Sequence, residues 1–516
     1  MNLNYYAMNP WEKFIYRLTS FFKGFGRRLG GFFVAIWKGI VSFFRGLYAV
    51  GRNYVSGFCD GNATTKLSYA VMGFGHFTRG QIVRGLIYLL IEVAFAVYMI
   101  FLDGWFYLSS FFKAIFTGGQ FGYKVYTEGW DDNVGDYVMI SEGDNSFLFL
   151  LYGVVAVLMV CAFLVIYYAS VRESYKNEQD RAIGLKLATF KDNVRELFDR
   201  KIHVSLLTIP LLGVVVFTVV PLIAMILIAF TNYDRNTPIN TTLFSWVGLD
   251  NFKELFTTFG SENGLGYTFL HILLWTVIWA FFATFTNYFG GMLLAMLINK
   301  KGIRLKKFWR TVFVITIAVP QFVSLLIMSL MLFSADGVDT QNVGIITSWI
   351  EKLPGDFFFN FSNNALHTRI GVIIVNMWIG VPYTMLMCSG ILMNIPADLY
   401  ESARIDGASP ARRFMKITLP YMLFVTGPYL ITQFIGNLNN FNVIYLLSAG
   451  GPALPDYDPT AKGADLLVTW LYRLTSENQD YKLAAIIGIL TFVISAVFSL
   501  VVYNKSSAVK GEENFQ

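Results

Sequence analysis

The chain has 516 residues, of which 55% are hydrophobic and 17% aromatic but only 14% charged, and its mean hydropathy is +0.52. Soluble domains carry about a quarter charged residues, so this composition excludes an ordinary water-soluble enzyme and predicts an all-α integral membrane protein. The net charge of +6 gains meaning only once the charges are placed along the chain. Cys59, Cys161 and Cys388 are too far apart to suggest a disulfide framework or a metal-ligand pattern.

In the first segment, 1–81, apolar side chains recur in steps of three and four from Phe14, Leu18, Phe21 and Phe25 to Phe43 and Leu47. That period defines one helical face. Lys38 and Arg45 interrupt any continuous span, which predicts an amphipathic helix lying in the headgroup layer and contacting lipid. A signal peptide fits less well, because no early uninterrupted apolar core precedes a small-residue cleavage site. Eight stretches then reach the roughly 20 apolar residues a helical span needs: 83–102, 147–170, 204–231, 269–298, 311–333, 370–393, 421–447 and 483–503. With 1–81 inside, the inner segments hold thirty Lys and Arg and the outer segments seven. The positive-inside rule then places both termini in the cytoplasm. The chain divides into 1–81, two spans in 82–170, a cytoplasmic linker 171–203, a six-span core 204–503 and a cytoplasmic tail 504–516.

From 204 onward the spans are nearly free of ionisable side chains, which proton-coupled carriers and voltage sensors keep for function. Glu92 is the exception in the first span, where it either faces a neighbouring helix or carries protons. No Gly-x-x-x-x-Gly-Lys-Ser/Thr phosphate loop occurs, and no His, Asp, Glu or Cys pair sits at nucleophile–base or metal-ligand spacing. The expectation is a chain that is not an enzyme, holds no cofactor or metal, binds no nucleic acid and takes its energy from a partner. Trp105, Trp130, Trp246, Trp275 and Trp309 fall near predicted interfaces as anchors, and His203 and His271 at span edges read as headgroup contacts.

The inner segment 394–420 carries the most specific pattern. Pro396 suits a first helical turn, Gly407 a left-handed stop, and Ser409-Pro410 the cap and start of a second helix. This predicts a short helix–turn–helix on the inner face. Glu401-Ser402-Ala403, three residues, Gly407, nine residues, Ile417, one residue, Leu419-Pro420 resembles the Glu-Ala-Ala signature of permease subunits of binding-protein-dependent ABC importers. Only Ser402 departs, replacing Ala with another small residue. The resemblance runs over about 200–505 and includes Val247-Gly248-Leu249-Asp250-Asn251-Phe252 and the Gly450-Gly451-Pro452 turn. Eight spans with two extra at the N-terminus are similar to the larger membrane subunit of maltose/maltodextrin-type importers. The outer segment 232–268 is short where that subunit's enterobacterial form carries a folded domain.

The resemblance implies an ATPase-coupling role for Glu401, Ala403, Gly407, Ile417, Leu419 and Pro420. The partners it implies are a second permease subunit, a dimer of ATP-binding subunits, an extracytoplasmic sugar-binding protein and an oligosaccharide substrate.

Polar residues also repeat within two spans: Asn376, Gly380 and Tyr383 on one helical face, Gln433, Asn437 and Asn440 on another, each spaced by four and three. On the residues alone, hydrogen bonding between helices is the preferred account over a substrate pathway. The resemblance favours the pathway, because maltose-type subunits line their sugar site from these two spans; Gln433 and Gly436 depart from the small polar and aromatic residues expected there. The function expected is half of the translocation pathway of an ATP-driven oligosaccharide importer. The alternative is a self-contained ion-coupled carrier or channel with Glu92 as its coupling group; an intramembrane enzyme lacks any candidate dyad.

Overall fold

The apolar runs fold as helices, because backbone N–H and C=O groups in hydrocarbon find partners only within the segment. The computed structural model describes residues 34, 37–39, 41–125, 127–141, 143–237, 242–300, 302–333, 344–351, 361 and 363–503. Most of the expected N-terminal amphipathic face, Phe14 to Phe32 with Ile36 and Ile40, and the tail 504–516 lie outside the described residues. Among the described residues, seven helices are long and apolar enough to cross a membrane, and a broken pair bent by 89° makes an eighth where it counts as one span. The chain forms two compact units, residues 1–117 with 145–224, and residues 118–144 with 225–516.

In the first unit, α1 (41–60) leads through the short α2 (Ala63–Leu67) and α3 (Phe74–Phe77) to α4 (Ile82–Phe101), α5 (Gly104–Thr117) and the 37-residue α6 (Ser146–Ala182). Phe43 and Leu47 of α1 are exposed, as are residues 42–50 on every side of the helix. Phe95 stacks on Phe163 at 3.9 Å, and Gly153 lies so close to Phe111 that a Cβ there would meet its ring at 2.5 Å. Past its apolar stretch, α6 becomes a polar hub. Glu178 accepts from the Asn62 amide and pairs with Arg79, while Glu173 pairs with Arg84 at 2.6 Å and accepts from the Tyr88 hydroxyl at 2.9 Å. Glu92 accepts from the Met72 backbone amide at 2.8 Å.

A helix α7 (Phe190–Phe198), closed by a Thr189–Asp192 capping box, leads into α8 (Ile202–Ile228). A wide π turn at Val215–Val219 interrupts α8 two residues before Pro221. The proline ring would clash with the carbonyl four residues back, and widening the turn relieves it.

The second unit holds a hairpin of β1 (Thr127–Asp131) and β2 (Asp136–Ser141), then α9 (Asp250–Thr257), α10 (Leu265–Asn299), α11 (Lys306–Ala318), α12 (Gln321–Leu332), α13 (Ile345–Glu351), α14 (Ala365–Leu392), α15 (Ala397–Ile405), α16 (Pro410–Leu438), α17 (Phe441–Ser448), α18 (Leu467–Ser476) and α19 (Tyr481–Tyr503). Helix α10 is central and half of its span is buried. It crosses α14 at small residues, the usual device for close helix approach where lipid is as apolar as the side chains. A Cβ on Gly291 would lie 2.1 Å from the Thr384 hydroxyl.

Three expectations need correction. The seventh span, expected at 421–447, ends at Leu438, because Asn440 caps a separate helix by accepting from the Val443 amide at 3.2 Å. The fifth breaks at Val319–Pro320 between α11 and α12. Trp275, expected as an interfacial anchor, is 4% exposed; it donates to the Ala464 carbonyl at 3.1 Å and carries the Arg369 guanidinium over its ring at 4.8 Å.

The sequence motifs prove to be local fastenings. Asn251 donates through its amide to the carbonyls of Ala229 and Thr231, satisfying the end of α8. Gly450 has φ +86, and a Cβ there would lie 2.3 Å from the Asp465 carboxylate. Asp465, fully buried, accepts from Lys462 N, the Thr469 hydroxyl and Arg473, and Arg473 also donates to the Ala449 carbonyl at 2.9 Å. Burial raises the Asp465 carboxyl above its ordinary range, although the Arg473 charge opposes it.

Candidate functional site

A cavity of about 390 Å³ opens among α10, the α11–α12 break, α14 and α16. All six polar residues expected on the pathway line it: Asn376, Gly380 and Tyr383 from α14, Gln433 and Asn437 from α16, and Asn440 just beyond. Two helical faces separated by more than fifty residues thus meet around one space. Among the described residues the walls hold no Asp, Glu, Lys, Arg or His.

Geometry divides the six by role. Asn437 donates to the Thr284 hydroxyl at 3.0 Å and accepts from Asn440 at 3.3 Å, and its carbonyl accepts from the Trp279 indole at 3.1 Å. These amides hold α16 to α10, as hydrogen bonding between helices requires. Asn376 differs. It is 5% exposed, and its Nδ2 has no protein acceptor among the described residues. The Asn287 Oδ1 opposite is likewise buried without a donor. Buried amides are rarely left so, and a donor and an acceptor facing one cavity can serve a ligand hydroxyl. Tyr383 presents a half-exposed ring beside them.

Sequence reasoning missed Thr284, Asn287, Gln321, Ser324 and Tyr429, which add polar groups to the lining together with Thr316 and Thr384. Asn287 and Thr284 are adjacent-turn polar residues in an apolar helix, a signal of the same kind that marked α14 and α16. Gln321 and Ser324 reach the cavity only because Val319 and Pro320 turn the chain by 89°. A helix broken in this way leaves backbone groups at both ends without intrahelical partners.

The inner helix–turn–helix forms as the residues dictate. Pro396 stands at the N-cap of α15, one position ahead of the expected first turn. Gly407 takes φ +73 and ends the helix, with Gly407 N donating to the Arg404 carbonyl and Ala408 N to that of Ala403. The Ser409 side chain caps α16 by accepting from the Arg412 amide, with Pro410 next. A second π turn, Phe414–Thr418, again precedes a proline, Pro420, and joins this corner to the span. The Tyr400 and Thr418 hydroxyls bond at 2.8 Å and fix the two arms. Glu401 and Gly407 are exposed at the tip, with Ile405 87% exposed beside them; Ala403, Ile417 and Leu419 are partly buried and Pro420 is exposed.

The family described as "Binding-protein-dependent transport system inner membrane component" matches residues 287–506, which span the cavity and the inner corner. The galactooligosaccharides transport system permease protein of Bacillus subtilis (strain 168) is 33% identical over 86% of this chain and 97% of its own length. The maltodextrin transport system permease protein of the same organism is 33% identical over 72% of this chain and 84% of its length. The maltose/maltodextrin transport system permease protein of Escherichia coli (strain K12) is 37% identical over 49% of this chain and 48% of its length. With a relative matched at that identity along nearly its whole length, the chain belongs to the family of binding-protein-dependent transport system inner membrane components.

Proposed function

We propose that this chain is the larger membrane-spanning permease subunit of an ATP-driven importer for a neutral oligosaccharide, forming half of the translocation pathway. The observation that carries the substrate class is the cavity: amides, hydroxyls and a tyrosine ring without a formal charge suit a polyhydroxylated, uncharged ligand. The transport functions of the relatives, for galactooligosaccharides and maltodextrin, agree with that chemistry.

The chain works with a second permease, a dimer of separate ATP-binding subunits and an extracytoplasmic sugar-binding protein. Both termini and the 394–420 corner face the cytoplasm. Glu401 and Gly407 dock in the ATPase, Ala403, Ile417, Leu419 and Pro420 hold the corner's shape, and its movement rocks α14 and α16. Because those helices carry Asn376, Gly380, Tyr383, Gln433 and Asn437, and Asn440 follows two residues after α16, a displacement of the corner changes the cavity directly. The rival carrier reading depends on Glu92, whose carboxylate is engaged by a backbone amide.

The test is uptake by the assembled complex in liposomes. ATP-dependent accumulation of a neutral maltodextrin, reduced at least tenfold by Asn376→Leu with ATPase assembly intact, supports the reading. Accumulation driven by an ion gradient without nucleotide would overturn it.

A further inference from the structure

A second cavity of about 340 Å³ lies in the first unit, between α1 and the end of α6. Its position along α6 is telling. The apolar stretch of that helix ends near residue 170, and the cavity is lined by the next two turns: Tyr168, Arg172, Tyr175 and Lys176. Tyr54 and Tyr69 close it from the other side. Tyrosines beside cations at the end of an apolar run mark the headgroup level of a bilayer.

The cavity is built rather than incidental. The Tyr69 hydroxyl donates to the Tyr54 carbonyl at 2.7 Å, the Tyr167 hydroxyl donates to the Tyr69 carbonyl at 2.8 Å, and the Tyr54 and Tyr167 hydroxyls meet at 3.2 Å. Gly57 keeps the floor open, since a Cβ there would lie 2.8 Å from the Tyr69 hydroxyl.

Among its described lining residues, Arg172 and Lys176 are the charged side chains. Arg172 and Lys176, four apart on one helical face, form no ion pair among the described residues. Of the acids on α6 near them in sequence, Glu173 pairs with Arg84 and accepts from Tyr88, Glu178 pairs with Arg79 and accepts from the Asn62 amide, and Asp180, one turn past Lys176, forms no ion pair among the described residues. Seven residues before Arg172, on the same face, Val165 is 69% exposed, and Leu164 beside it is 55% exposed. Two cations below an open apolar strip match a phosphate carrying an acyl chain.

We infer that Arg172, Lys176 and the tyrosines between α1 and α6 form a binding site for the headgroup of an anionic phospholipid. The cations hold the phosphate, the tyrosine rings wall the glycerol region, and an acyl chain lies along Val165 and Leu164. The site ties α1 to the membrane at the point where α6 leaves it. It stands independently of the solute carried.

The test uses the full chain in detergent, stripped of lipid and titrated with phosphatidylglycerol, phosphatidylcholine or inorganic phosphate while native mass spectrometry counts what is retained. Phosphatidylglycerol should bind in preference to phosphatidylcholine, and Arg172→Gln/Lys176→Gln should weaken it roughly 30-fold, about a factor of five per cation. Arg172→Lys/Lys176→Arg should restore binding, and Gly57→Leu should abolish it without changing charge. Equal binding of phosphatidylcholine, or unchanged retention in the double glutamine variant, would overturn the site. Inorganic phosphate that displaces the lipid at comparable concentration would overturn the lipid assignment in favour of a free anion.

Discussion

Gly380 of α14 and Asn287 of α10 meet so closely that a Cβ at Gly380 would lie 2.1 Å from the Asn287 amide nitrogen. The contact sets the width of the neutral cavity, because both residues line it. Gly380→Ala forces the Asn287 side chain away from its place or inward, and overpacking of this kind costs about 1–3 kcal/mol. Uptake by the reconstituted complex should fall about tenfold with normal membrane assembly. Adding Asn287→Ala should restore much of it, and a double variant no better than the single would show that the contact is not the cause.

At the inner corner, Gly407 sits at φ +73, where a side chain costs about 1–2 kcal/mol. No neighbouring atom lies within 4 Å of a Cβ there, so the penalty within the chain is backbone strain and not a clash, and the proposed docking role adds the lost fit to the ATPase. Gly407→Val should leave the spans inserted while ATP hydrolysis by the complex ceases to track uptake. Glu401→Ala should do the same, and intact coupling in both variants would remove the tip from the docking surface.

Arg473 neutralises a fully buried carboxylate, so Arg473→Met should destabilise the second unit by about 3–5 kcal/mol at neutral pH. The sign with pH follows from burial, which already raises the Asp465 carboxyl. Without the guanidinium that rise grows, and a raised folded pKa contributes stability at low pH that is lost as pH rises through it. The variant should therefore unfold at a temperature nearer wild type at pH 5 than at pH 8. Asp465→Asn in the same background should flatten that dependence.

The pair Asp234–Lys482, 2.8 Å apart, has the opposite sign. Burial works to raise the Asp234 carboxyl, but the hydrogen bond and charge of Lys482 outweigh it and hold it below the usual range. Its contribution is present above the unfolded value of about 3.9 and disappears as pH falls through the lower folded one. The pair is partly solvated, so about 1 kcal/mol is expected. Asp234→Asn should lower the unfolding temperature slightly at pH 7 and remove that loss below pH 4.

Much of this molecule is written in local patterns. Apolar run lengths determine how many helices can cross, and the turn chemistry of Gly407 and Ser409-Pro410 determines the inner corner, because each depends only on residues a few positions apart. The spacing of Asn376, Gly380 and Tyr383, and of Gln433, Asn437 and Asn440, likewise determines that each trio shares a face.

Packing decided the rest. Which faces meet depends on where α10 can approach α14, and that is settled by Gly291 against Thr384 and Gly380 against Asn287, contacts about ninety residues apart. The break at Pro320 brings Gln321 to the cavity, and the cap formed by Asn440 ends the span that hydropathy carries on to 447. Hydropathy measures what a residue would rather touch; only the assembled helices determine what it does touch.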